Sequence, residues 1–71
     1  MRTKVQTKIY NYLARSAGNA NVPSDHTIRS FIGMIQTGEA TIEDMEVAGG
    51  DWLVQRVNEM AIENGWSLTS E

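Results

Sequence analysis

Cysteine is absent from this 71-residue chain, which excludes disulfides, thiolate metal sites and thiol nucleophiles. Histidine occurs once, as His26, so no imidazole cluster can hold a metal, and the acids lack the spacing of an EF-hand loop. Ser24, Asp25 and His26 are adjacent, but neighbours at a helix start point about 100° apart and cannot form a nucleophilic relay. No nucleophile, base and orienting group can be named together, so the expectation is a non-enzymatic protein with no catalytic residues, no metal and no cofactor. No apolar run approaches the roughly 18–20 residues that a membrane span needs, and no membrane association is expected. The first six residues are basic and lack the apolar stretch of a secretory signal. Together with the missing cysteine, this fits a reducing cytoplasm. Proline occurs once and glycine six times, while 41% of residues are hydrophobic, too many for disorder by composition.

What the chain does have is charge sorted by position. Residues 1–29 hold five of the six bases (Arg2, Lys4, Lys8, Arg15 and Arg29) against one acid, Asp25, for a net +4. Residues 30–71 hold one base, Arg56, against Glu39, Glu43, Asp44, Glu46, Asp51, Glu59, Glu63 and Glu71, for a net −7. Folding that keeps the two sets apart would create a basic end and an acidic end, a field that selects partners by sign.

Apolar residues recur at helical spacing throughout, and alternation at period two is missing, which predicts one all-α domain over residues 1–71. Four helices are expected: three longer ones and a short one. Val5, Ile9, Tyr12 and Leu13 line one stripe of a first helix over residues 3–17, which Gly18 ends before a polar loop. Ser24 caps a second, with Asp25 in its first turn and Pro23 and Ile28 placed as a hydrophobic staple. Its stripe is Ile28, Phe31, Ile32 and Ile35, and Gly38 closes it. Thr41 through Asp44 resembles a capping box that opens the short third helix, which Gly49 and Gly50 end after about two turns. Asp51 can cap the fourth helix, where Leu53, Val54, Val57, Met60 and Ala61 cover one arc. Gly65 stops it, with Trp66 folding back on the last turn and Leu68 following. Residues 69–71 are expected to fray.

Two surfaces could meet a partner. Lys4, Lys8 and Arg15 share one face of the first helix, either as a solvated face or as a contact for phosphates or an acidic protein. Glu43, Asp44, Glu46, Asp51, Glu59 and Glu63 gather on the third and fourth helices. Caps and favourable helix starts explain Glu43, Asp44 and Asp51, and leave the others open. Trp52 lies off the fourth helix's apolar stripe, beside Arg56, Glu59 and Glu63. At the first helical position its ring can turn inward into the core; left outside, it and Arg56 would be interface anchors. Tyr10, Met34 and Ile62 also fall off their stripes.

These features favour a protein-binding module whose acidic helical face docks on a larger, basic, nucleic-acid-handling partner, imitating phosphates. Small accessory or inhibitory proteins of phages and mobile elements are a general precedent for such short chains. A second copy of the chain is another candidate partner. The alternative is a DNA-binding regulator of helix-turn-helix type. Its recognition helix would show Asp51, Trp52, Gln55, Arg56, Glu59 and Glu63 outward, and one arginine among three acids suits a phosphate-lined groove poorly.

Overall fold

The computed structural model describes residues 2–16 and 24–68. These residues form three helices: α1 (Lys4–Ser16), α2 (Asp25–Gln36) and α3 (Ile42–Asn64). No strand occurs among them, as the helical periodicity predicts. The expected stop at Gly18, the loop through residue 23 with its Pro23 staple, and residues 69–71 lie outside the described residues.

The three helix starts and the end of α3 each have a local cause. At α1, the Gln6 backbone N–H donates to Thr3 Oγ1 (3.2 Å) and the Thr3 N–H donates to Gln6 Oε1 (3.0 Å), a reciprocal box that satisfies two otherwise orphaned donors. At α2, Ser24 Oγ accepts from the Thr27 N–H at 3.3 Å. At α3, Thr41 and Asp44 form the capping box expected from the sequence. Gly65 ends α3 in the left-handed conformation (φ 70°), and the Trp66 N–H donates back to the Ala61 carbonyl at 2.9 Å. That closure lays Trp66 against the core together with Leu68.

The separate short helix is not present. The third and fourth expected helices are joined in one 23-residue element with a kink at Gly50 (φ 76°, ψ −172°). A single glycine absorbs the whole departure from helical geometry, in a backbone region that side chains essentially exclude, so no connecting loop is needed. Asp51, expected as a cap, is the first residue of the helical segment that follows the kink. Gly49 acts differently: a Cβ there would sit 2.6 Å from Leu53 Cδ2 and 3.0 Å from Leu13 Cδ1. Its bare backbone lets α1 close on the kink.

The core draws Ile9 from α1, Ile28, Phe31, Ile32 and Ile35 from α2, and Met45, Leu53, Val57, Met60 and Ala61 from α3. Apart from Met45, these residues belong to the apolar stripes, of which Tyr12 is exposed and Val5, Leu13 and Val54 are only partly buried; each fully buried side chain contributes about 1.5–3 kcal/mol. Tyr12 meets Phe31 edge-on, with ring centroids 6.2 Å apart. Met34, expected off its stripe, is buried. The segment between α2 and α3 folds back over the last turn of α2, where the Met34 carbonyl accepts from the Ala40 N–H (3.1 Å) and from the Thr37 hydroxyl (3.2 Å). Met34 and Ala40 both belong to the core cluster, at a position which the periodicity of α2 alone leaves in solvent.

Gly50→Ala is expected to lower the unfolding free energy by about 1–3 kcal/mol, measured by urea denaturation. A loss below about 0.5 kcal/mol, the range of an ordinary surface change, would show that the kink does not depend on glycine.

Candidate functional site

The acidic set expected from the sequence lies along α3, and the first turn of that helix is fixed by a contact that sequence reasoning missed. Gln6 is only 8% exposed. Its side-chain amide donates to Asp44 Oδ1 at 2.8 Å, while its carbonyl oxygen serves the α1 box. Asp44 Oδ2 accepts from the Thr41 N–H at 2.9 Å, and the Asp44 N–H donates to Thr41 Oγ1 at 3.2 Å. Two capping boxes are thus locked together through one amide–carboxylate bond. The T-x-x-Q spacing of Thr3 and Gln6 signals the first box, but nothing in the sequence signals the link between the boxes.

The link also sets direction. Gln6 meets Asp44 near the starts of α1 and α3, and Leu13 reaches Gly49 further along both. The helices therefore run the same way here, with their positive dipole ends side by side. The first turn of α1 holds no acid, so the Asp44 carboxylate supplies the negative charge that both ends favour. Partial burial pushes the Asp44 carboxyl up, and hydrogen bonds from Gln6 and Thr41 outweigh it, holding the group below its ordinary value.

Asp44 is therefore committed to the fold, whereas Glu43 and Glu46 point outward and are exposed, with Val47 exposed beside them. Beyond the kink, Asp51, Glu59 and Glu63 are exposed too. Among the described residues, none of these five carboxylates forms an ion pair. Trp52 is 47% exposed, so its ring does not turn into the core. It shares a face with Arg56, Glu59 and Glu63 at i, i+4, i+7 and i+11. Arg56 has a partner already: its guanidinium donates to Asp25 at the start of α2, at 2.8 Å. Among the described residues, Ile62 is the most open large apolar side chain, at 80%.

The two halves of the charge pattern are not wholly separate. Lys8 pairs with Glu39 at 2.9 Å, and that hydrogen bond and charge raise the lysine's pKa. Both groups are well exposed, so the pair contributes little to stability. Lys4 and Arg15 are exposed, with the Arg15 guanidinium over the Tyr12 ring at 5.3 Å. Tyr10 lies under Arg2 at 4.3 Å. Arg29, Ile32, Gly33, Gln36 and Trp66 line an open cleft of about 170 Å³. There Arg29 covers the Trp66 ring and Gln36 donates to the Ser67 carbonyl. His26 is exposed in the first turn of α2. Among the described residues, no three His, Cys, Asp or Glu side chains converge as metal ligands, and no helix is long and apolar enough to cross a membrane.

Asp44→Ala removes two hydrogen bonds and leaves the buried Gln6 amide without its acceptor, a cost on the order of 2 kcal/mol at neutral pH. Because folding depresses the Asp44 pKa, its contribution is complete above the ordinary carboxylate range and fades as pH falls through the depressed value. Urea midpoints of wild type and variant should therefore draw together as pH falls below the ordinary carboxylate range; a gap that stays constant from neutral to acid pH would contradict this role. No protein-family model matches the chain, and no curated protein or solved structure matches it either.

Proposed function

We propose that the chain is a non-enzymatic protein-binding module, an accessory or inhibitory protein that docks the exposed acids of α3 on a basic surface of a larger partner. The observation that carries this reading is a half-exposed tryptophan, Trp52, on a helix whose outward carboxylates Glu43, Glu46, Asp51, Glu59 and Glu63 form no ion pair among the described residues. Interface anchors are enriched in tryptophan, and unpaired carboxylates draw a cationic surface at long range. A partner that handles nucleic acid in the cytoplasm presents such a surface, and the carboxylates would occupy its phosphate-binding groove. Of the residues expected to contact a partner, Asp44 serves as the internal anchor that aims Glu43 and Glu46, and Arg56 flanks Trp52 from its pair with Asp25. Lys4, Lys8 and Arg15 stand apart from this face on α1.

Capture from the cells in which the chain is native, followed by identification of what is retained, tests the reading. Wild type should retain a basic partner, and Glu43→Lys, Glu46→Lys and Glu59→Lys combined should lose it with the helical circular dichroism unchanged. Asp44 is left intact because its loss would unsettle the fold. Capture that survives the triple reversal contradicts the acidic-face reading. So does tight binding of the chain to duplex DNA with a steep salt dependence, the behaviour of a DNA-binding regulator.

A further inference from the structure

We infer that the segment of α3 beyond the Gly50 kink receives a basic amphipathic helix of the partner, an inference that rests on the protein-binding reading above. The seam is Trp52, Gln55, Glu59 and Ile62, at i, i+3, i+7 and i+10, the alternating three–four spacing along which one helix lies on another. All four are exposed, and the two large apolar side chains stand at its ends, Trp52 at 47% and Ile62 at 80%. Ten residues of helix separate them by about 15 Å. The opposite face of the same segment is fully used, with Leu53, Val57, Met60 and Ala61 buried. Trp52 and Ile62 are therefore surplus to the core.

Charge selects the occupant. Asp51, Glu59 and Glu63 lie on or beside the seam, and Arg56, the base nearest to it, is held by Asp25. A phosphate backbone would be repelled. A second copy laying the same seam against itself would set like charges opposite one another. A wholly apolar groove would strip water from carboxylates without pairing them. A helix with apolar residues at matching spacing and lysine or arginine on its flanks satisfies both the ends and the middle of the seam.

Anisotropy measurements with two fluorescently labelled peptides of about 15 residues, the length that covers the seam, test this. Both contain only lysine and leucine in the same proportion. One places its leucines at the three–four spacing and the other permutes them. The patterned peptide should bind about tenfold tighter, and Trp52→Ala and Ile62→Asp should each remove about that factor, as loss of an interface anchor does. Both side chains are exposed, so circular dichroism should not change. Equal binding of the two peptides, indifferent to both substitutions but lost in Glu59→Lys/Glu63→Lys, overturns the seam and leaves the acidic-face reading intact. No binding of either peptide at low salt overturns both. Sedimentation of the chain alone completes the test, because a dimer dissolved by Ile62→Asp would assign the seam to a second copy.

Discussion

The bond from the Gln6 amide to the Asp44 carboxylate is the constraint on which the arrangement of this small protein turns. Two helices that start side by side bring like dipole ends together, and each start leaves backbone donors without partners. A single carboxylate answers both problems. It accepts from the Thr41 backbone within its own helix and from Gln6 of the neighbouring one. Gln6 in turn closes the box at Thr3. Because Gln6 is buried and Asp44 is not, loss of the carboxylate strands the amide, and the joint fixes the rotation of α3 about its axis as well as its position.

That rotation decides what the solvent sees. With Asp44 turned toward α1, Glu43, Glu46 and Val47 face outward. At the far end of the first segment, Gly49 permits close approach of Leu13, and Gly50 redirects the chain. The second segment buries one complete apolar face and leaves Trp52, Glu59 and Ile62 on the other. Acidic groups that could have been spent on internal pairing remain available. The bases that cross between the halves of the chain, Lys8 and Arg56, engage Glu39 and Asp25 instead. The sorted charge of the sequence thus survives along α3 and is partly cancelled elsewhere.

Local features were the most legible part of the fold. Thr41 through Asp44, Ser24, and the Gly65–Trp66 ending each carry their instruction within a few residues, and the apolar stripes name most of the core. What escaped were properties set by neighbours distant in sequence. Gln6 and Asp44 are 38 positions apart, and polarity gives no hint that a glutamine will be buried. Met34 is buried although the stripe of its own helix leaves it out. The break at Gly50 is legible, but the lack of a connecting loop is not, because it depends on how many residues leave helical geometry, and here a single residue does. For Trp52, the first position of a separate helix could have turned inward. The structure sets Trp52 two residues past the kink with its ring about half exposed, a direction that the sequence leaves open. The candidate site was readable as an acidic list, but its division into a structural carboxylate, Asp44, and outward ones required the fold.

A double-mutant cycle on Gln6 and Asp44 measures the joint itself. Urea unfolding of wild type, Gln6→Ala, Asp44→Ala and the double variant gives the coupling between the two side chains free of their separate local effects. A favourable coupling of about 1–3 kcal/mol at neutral pH is expected for a sheltered hydrogen bond to a charged group. Strictly additive losses, with coupling near zero, would mean that the two helix starts are held by something else.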